Sequence, residues 1–121
     1  MSIRVAQAEI LRVVDGDTFH SNLDVGWGII LLPRIGKNPG PGTVRVVYGD
    51  GSKWDAPDKE EPERRELAKQ ALSSLLIPGG KYPVVSYGID DFGRTLGAVR
   101  LENGSDLAAL MHHMGHTKRK K

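Results

Sequence analysis

The chain has no cysteine, which excludes disulfide bonds and thiolate metal sites. It also has no apolar run of about 18 residues, the length that a helix needs to cross a membrane. Its first residues lack the charged-then-apolar order of a secretory signal. We therefore expect a cytoplasmic protein that makes no membrane contact.

Neither sign of charge is in large excess. The 121 residues carry a formal net charge of only +2, and residues 118–121 are all basic. Any affinity for nucleic acid therefore has to come from a local arrangement of residues. With 39% hydrophobic residues, the chain is long enough for one core and too short for two domains. We predict a single, monomeric domain over residues 1–117 and a basic tail at 118–121.

Most of the chain has the pattern of β-strands. Apolar residues alternate with polar ones, or run together briefly, in six segments bounded by turn residues. Residues 33–43 hold three prolines and three glycines, which predicts an exposed loop. Asp50-Gly51 is a hairpin signal that leads to Lys53-Trp54. The predicted strands are Ile3–Val14, Thr18–Leu23, Trp27–Leu32, Val44–Tyr48, Tyr82–Gly88 and Arg94–Leu101.

One stretch changes to a helical period. Apolar residues recur at three- and four-residue steps over Glu61–Leu76, and Leu67 lies on the expected apolar face. Asp58 and Glu61 have the spacing of a capping box, and Pro62 suits the first helical turn. The pattern predicts a helix that begins near Glu61 with Asp58 as its cap.

A second helix is predicted at Asp106–Met114, where Gly115 provides the stop. Together with the six strands and the first helix, it indicates a β-rich α+β fold. The elements fit a small Greek-key β-barrel of the OB type, with five or six strands and two helices.

Four motifs occur in an order that resembles the staphylococcal nuclease (thermonuclease) family. They are Val14–Thr18 (VDGDT), Val44–Val46 (VRV), Asp55–Asp58 (DAPD) and Asp91–Leu96 (DFGRTL). An Asp-Gly pair alone is a common turn signal, but four motifs in the family order are a stronger indication. The likeness covers residues 8–116 and also implies an OB-fold.

The resemblance implies a Ca²⁺ site built from oxygen ligands, which this hard cation prefers. Asp17 and Asp55 match the family's carboxylate ligands, and the backbone carbonyl of Ala56 stands where the family often has threonine. Asp15 matches a neighbouring acid that shapes the electrostatics of the site. The implied activity is Ca²⁺-dependent hydrolysis of phosphodiester bonds in DNA or RNA, with release of the 5′-oxygen.

Two arginines suit this reaction because guanidinium groups donate paired hydrogen bonds to phosphate oxygens and stay charged. Arg94 matches the family's arginine after a tight turn, and Phe92 stands where the family has a tyrosine that contacts substrate. Arg45 is expected as the second catalytic arginine, although it precedes the DAPD motif by more than in the family. An inserted loop or hairpin at about 33–53 would explain the gap, and it leaves Arg34 open as a rival.

The general base has several candidates. Asp58 stands where the family has a glutamate, one methylene longer, and Glu60 and Glu61 remain open as alternatives. Asp58 suits the role of helix cap equally well. The chain also ends soon after His116, before the family's C-terminal helix. The competing hypothesis is therefore a barrel that binds single-stranded nucleic acid or a protein partner with weakened hydrolysis.

Three histidines close to the C-terminus invite a metal-site interpretation. His112 and His116 would share a helical face, with His113 beside them. Because no carboxylate stands at ligand spacing and the helix is ending there, we interpret these histidines as surface residues.

Overall fold

The structure, a computed structural model, describes residues 4–34 and 36–118. Within these residues lie six strands and two helices. In chain order they are β1 (Arg4–Asp15), β2 (Thr18–Asp24), β3 (Ile30–Leu31), β4 (Thr43–Val46), α1 (Pro62–Leu75), β5 (Lys81–Ile89), β6 (Thr95–Val99) and α2 (Leu107–His113).

Five of the strands close into a barrel. The order of neighbours is β1-β5-β6-β4-β2, β2 pairs again with β1, and the short β3 pairs with the far end of β2. Every pair is antiparallel except β4 with β6, which run parallel from Val44 opposite Thr95 to Val46 opposite Gly97. This closed mixed barrel, with a helix between its third and fourth strands, has the OB-type arrangement. The predicted β-rich α+β fold is confirmed.

The hairpin of β1 and β2 changes register twice. Asp15 lies opposite Thr18 at its tip, and the pairing shifts between Ile10 and Arg12 and again just before Asp15. Such bulges redirect side chains because one strand gains a residue relative to its partner. Ile10 therefore lies in the barrel interior, whereas the exposed Arg12 lies opposite His20 on the outer face.

The core fills the barrel and continues under both helices. α1 buries Ala68 and Leu72, and α2 buries Leu107 and Met111. Burying a large apolar side chain contributes about 1.5–3 kcal/mol relative to exposure. The largest fully buried side chains include Trp54, Phe19, Ile10, Leu72, Leu76, Leu107 and Met111. No helix in the described ranges is long and apolar enough to cross a membrane.

The predicted strand at Trp27–Leu32 is wrong in most of its length, because only Ile30 and Leu31 pair with β2. Gly26, Trp27 and Gly28 all have positive φ, which ends an extended strand. The ring of Trp27 is 99% exposed, so the apolar run marks the tip of a loop.

The Asp50-Gly51 turn forms, but the predicted hairpin partner at Lys53-Trp54 is wrong. Gly51 donates its N–H to the carbonyl of Tyr48, and the N–H of Tyr48 reaches the carbonyl of Ser52. The chain then leaves the sheet because Trp54 enters the core, where it is 2% exposed. Of the segment at about 33–53, residues 43–46 form barrel strand β4, and the other described residues lie outside the named strands and helices.

Three details of the helices also differ from prediction. Glu61, and not Asp58, occupies the N-cap of α1, and no side chain caps it. Leu67 is exposed because it points away from the barrel. α2 ends at His113, so His112 and His116 do not share a helical face. Of the predicted first strand, Ile3 lies outside the described residues, as do residues 119–121 of the predicted tail.

Candidate active site

The candidate site lies at one end of the barrel, where the β1–β2 turn meets the β5–β6 turn. Asp15-Gly16-Asp17 forms the first turn and Asp90–Arg94 the second. β4 contributes Arg45, and the segment that follows Trp54 contributes Asp55. The fold thus brings the other three sequence motifs close to Arg45, which belongs to the VRV motif.

The β1–β2 turn is pressed against α1. A Cβ atom on Gly16 would lie 2.7 Å from the Cβ of Ala68, so a side chain at this position has no room. The carbonyl of Asp17 accepts the N–H of Val46 at 2.7 Å, and Oδ1 of Asp17 accepts the hydroxyl of Thr18 at 2.9 Å. Helix, strand and hydroxyl together fix where the Asp17 carboxylate points.

Arg45 lies between the two acids that were predicted as metal ligands. Its Nη2 is 3.2 Å from Oδ1 of Asp55 and 3.4 Å from the carbonyl of Trp54, and its Nε is 3.8 Å from Oδ2 of Asp17. The arginine side chain is 14% exposed. Its Nε is buried and makes no hydrogen bond with any described residue. Because a buried donor without an acceptor is unfavourable, this N–H is suited to an oxygen that enters the site.

Arg94 is held in place by its own turn. Oδ1 of Asp90 accepts the N–H groups of Phe92 and Arg94, each at 2.9 Å, and Oδ2 accepts Nε of Arg94 at 2.7 Å. Burial alone would raise the pKa of Asp90, but the hydrogen bonds from Arg94 and Phe92 outweigh it and hold that pKa below its ordinary value. Nη1 of Arg94 then reaches Oγ1 of Thr18 at 3.4 Å.

Phe92 lies beside this arginine. The guanidinium carbon of Arg94 is 5.4 Å from the centre of the ring, within the range of a cation–π contact. The ring is 73% exposed, so one face remains open to a flat ligand.

The pKa of Asp17 is raised although two arginines lie near its carboxylate. Burial raises its pKa, and the nearby Asp15 raises it further. The hydrogen bond from Thr18 and the charges of Arg45 and Arg94 lower the pKa, but the net shift remains upward. An added cation beside the carboxylate would lower the pKa of Asp17.

Asp15 faces the helix, not the two arginines of the site. Its carboxylate accepts hydrogen bonds from Nε and Nη2 of Arg65 at 3.0–3.2 Å, and its Oδ1 also accepts one from the N–H of Gly16. This pair ties the turn to α1, and Asp15 acts on Asp17 through its charge.

Asp58 is engaged by the C-terminal segment 115–118, which we call the strap. Its Oδ2 pairs with Nζ of Lys118 at 2.9 Å, and its Oδ1 accepts the N–H of Glu60. The hydrogen bond from Glu60 and then the contact with Lys118 lower the pKa of Asp58. The strap also binds the carbonyl of Asp55 through the N–H of Lys118 at 2.8 Å and Oγ1 of Thr117 at 3.2 Å.

Glu60 and Glu61 differ in their surroundings. Glu60 is exposed, whereas Oε1 of Glu61 pairs with Nη1 of Arg64 at 2.8 Å. Arg64 in turn donates to the carbonyls of Gly115 and Thr117 at 2.9 and 2.7 Å. Glu61 is therefore connected to the strap through this arginine.

Two sets of predicted residues lie elsewhere. Arg34 is exposed and bonds the carbonyl of Gly36 through Nε at 3.2 Å, away from both acids that contact Arg45. Nδ1 of His112 lies 2.6 Å from the hydroxyl of Tyr48. Within the described part of the chain, no three His, Asp, Glu or Cys side chains group as metal ligands. Of the predicted ligands, the carboxylates of Asp17 and Asp55 both contact Arg45.

Sequence reasoning assigned no role to several residues that shape the site. Thr18 links Asp17 to Arg94, Asp90 orients Arg94, and Arg65 holds Asp15. Only Asp90 carried a usable signal, since an Asp before a glycine-containing turn commonly accepts the backbone N–H two residues later.

No family model matches the chain, and no curated protein matches it either. The fold and the geometry of its residues therefore carry the functional argument.

Proposed function

We propose that the protein is a calcium-dependent nuclease that hydrolyses phosphodiester bonds of DNA or RNA. The observation that carries this proposal is the contact chain that runs from Asp55 through Arg45 to Asp17, and from there through Thr18 to Arg94. It joins two oxygen-ligand acids to two arginines at an open end of the barrel. The order of the motifs, which resembles the staphylococcal nuclease family, supports the same assignment.

The donor set fits a hard divalent cation. Asp17 and Asp55 supply carboxylate oxygens and Ala56 a carbonyl, with the remaining positions left to water and phosphate. The raised pKa of Asp17 supports this fit because burial, its largest cause, disfavours the charged carboxylate, which a bound cation would stabilise. Bound there, Ca²⁺ would neutralise part of the charge on the attacked phosphate.

The two arginines bind the phosphate in different ways. Arg45 offers its buried Nε, which lies 3.8 Å from Asp17 and makes no hydrogen bond with any described residue, to one oxygen. Arg94 uses its Nε to hold Asp90 and one hydrogen of Nη1 to reach Thr18, so Nη2 and the second hydrogen of Nη1 remain to face the substrate. Since guanidinium donors that are fixed in advance need no reorganisation as charge develops, both side chains favour the transition state.

Removal of a proton from the attacking water is the role proposed for Asp58. The hydrogen bond from Glu60 and the pairing with Lys118 lower its pKa and make it a weak base. Loss of the contact with Lys118 would make the carboxylate a stronger base. Glu60 and Glu61 remain the alternatives.

The same pairing favours a second candidate function. A barrel whose base is neutralised by Lys118 would still bind single-stranded nucleic acid through Arg45, Arg94 and the exposed Phe92. A protein that only binds would show equal affinity with and without Ca²⁺ and no cleavage.

A digestion assay with plasmid and single-stranded DNA separates the two functions. Wild-type protein is expected to cut with Ca²⁺ and not with a chelator. Arg94→Lys keeps the charge but loses the fork, so turnover should fall by a factor on the order of 10². Arg100→Lys, which alters an exposed arginine beyond β6, is the matched control and should cut like wild type. Calcium-independent cutting, or full activity of Arg94→Lys, would refute the proposal.

A further inference from the structure

Three basic side chains lie together on the outer face of the barrel. Arg12 of β1 lies opposite His20 of β2, and His20 lies opposite Thr43 of β4. Oγ1 of Thr43 is 2.6 Å from the carbonyl of Pro33, the residue before Arg34, and the charge of Arg34 acts on His20. We call Arg12, His20 and Arg34 the cationic track.

The track has no anionic partner within the described residues. No carboxylate there forms an ion pair with Arg12 or Arg34. Arg34 donates Nε to a carbonyl, which leaves its Nη groups free for another acceptor. Burial, followed by the charges of Arg12 and Arg34, lowers the pKa of His20, so its neutral form is favoured and the two arginines carry the charge of the track at neutral pH. Like charges at neighbouring cross-strand positions are destabilising unless an anion joins them.

The track is adjacent to the candidate active site. His20 follows Thr18 by two residues on the same face of β2, so it lies about 7 Å further along the strand. Thr18 itself contacts Arg94 and lies opposite Arg45. The track therefore lies one row along the outer face from the row of Thr18 and Arg45.

Apart from Asp15 and Asp17 of the candidate site, the acids of the β1–β2 hairpin lie beyond the track. Glu9 is paired with Asn22, and Asp24 ends β2. They stand on the side of His20 away from Arg45, so the track is limited to the row next to the site. A bound anion at the track would therefore be held near the reacting centre.

We propose that Arg12, His20 and Arg34 bind a phosphodiester group of a polynucleotide next to the one held by Arg45 and Arg94. This inference rests on the proposed function, because it takes the candidate site as the point of cleavage. Charge contacts to the backbone carry no base information. The substrate class is therefore a polynucleotide of several residues, bound with little regard to sequence, and not a mononucleotide ester.

The direct test is binding of a dye-labelled single-stranded oligonucleotide of about 12 nucleotides, within the range that OB barrels cover. A chelator is present so that no cleavage occurs. The double variant Arg12→Gln/Arg34→Gln should weaken affinity about ten-fold or more. Because each neutralised phosphate contributes about 0.7 to the salt slope of a single strand, and the track is proposed to bind one phosphate, that slope should fall by about 0.7.

The control removes the same charge elsewhere. Lys81→Gln/Arg100→Gln alters two exposed cations at the β5–β6 side of the barrel. It should change affinity much less than the track variant does. Equal loss in both variants would mean that only net charge matters and would overturn the inference.

Two further readouts separate the possible results. Polyglutamate of matched charge should compete poorly, and competition equal to that of the oligonucleotide would overturn a phosphodiester-binding role. In cleavage assays, the ratio of kcat/KM for the oligonucleotide to kcat/KM for a single-phosphodiester ester should fall about ten-fold in the track variant. If wild-type protein cuts nothing, the nuclease proposal fails while the binding result still decides the track. If cleavage occurs but binding by the track variant is unchanged, the track fails alone.

Discussion

Gly16 offers a sharp test of how the candidate site is anchored. Replacement by alanine puts a Cβ atom 2.7 Å from the Cβ of Ala68 and 3.4 Å from that of Ala56. The favourable separation of two carbons is about 3.5–4.0 Å. The turn or α1 must therefore shift by roughly an ångström, and overpacking of this kind costs about 1–3 kcal/mol.

Part of this cost is offset in the unfolded chain. Gly16 does not have a positive φ, so alanine fits the backbone and restricts the unfolded state by about 0.4–1 kcal/mol. The net expectation for Gly16→Ala is a loss of about 1–2 kcal/mol in the free energy of unfolding. A domain of this size is expected to stay folded, since typical stabilities are about 5–15 kcal/mol.

The assay is urea unfolding in the presence of a chelator, combined with a double-mutant cycle. Ala68→Gly alone should be destabilising, because it removes a buried methyl group and weakens the helix by about 1 kcal/mol. With Ala68→Gly in place, Gly16→Ala should no longer destabilise, which gives a favourable coupling of about 1–3 kcal/mol. Gly49→Ala, whose Cβ would meet only Asp106 at 3.5 Å, is the matched control and should be neutral or slightly stabilising. Coupling below about 0.5 kcal/mol would show that the turn does not rest on the helix.

Two further predictions concern the acids of the site. Asp17→Asn should stabilise the protein at neutral pH in chelator, because burial raises the pKa of Asp17 and the folded state therefore disfavours the charged carboxylate. This gain in the free energy of unfolding should shrink as pH falls toward 3.8, the ordinary pKa of aspartate, because Asp17 of the wild-type protein then becomes protonated. Saturating Ca²⁺ should reverse the order by stabilising wild type alone, and thermal melts that move in parallel with and without Ca²⁺ would contradict the metal role. Asp58→Asn keeps an acceptor for the N–H of Glu60 but cannot take a proton, so turnover should collapse with little loss of stability. Lys118→Gln should raise turnover, since it removes the ion pair with Asp58. If single-turnover kinetics are unchanged in Asp58→Asn and in Lys118→Gln, the general base is another residue.

The strands could be predicted where a single physical rule governed the pattern. β1, β2 and β5 follow, over part of their length, an alternation of buried and more exposed residues, and their existence needed no tertiary information. Trp27 broke the rule because its positive φ, and not its apolar character, decides the local backbone. The prediction that Asp58 caps α1 was wrong because capping-box spacing recurs by chance, and Glu61 occupies the cap position.

The candidate site could be predicted only in part. The motif order indicated Asp17, Asp55, Arg45 and Arg94, and the fold places them in one chain of contacts. No local pattern could indicate Arg65, which meets Asp15 from 50 residues away. Such pairs depend on how α1 crosses the end of the barrel.

The parallel pairing of β4 with β6 has a consequence for the order in which the chain folds. The β1–β2 hairpin is local, so the turn that carries Asp17 can form early. β4 and β6 can meet only after α1 and β5 have crossed between them, and closing so long a loop is slow. Arg94 contacts Thr18 across 76 residues of sequence. We expect the arginine to reach the acidic turn only when the barrel closes, so a partly folded chain would hold the acidic turn without its contact to Arg94.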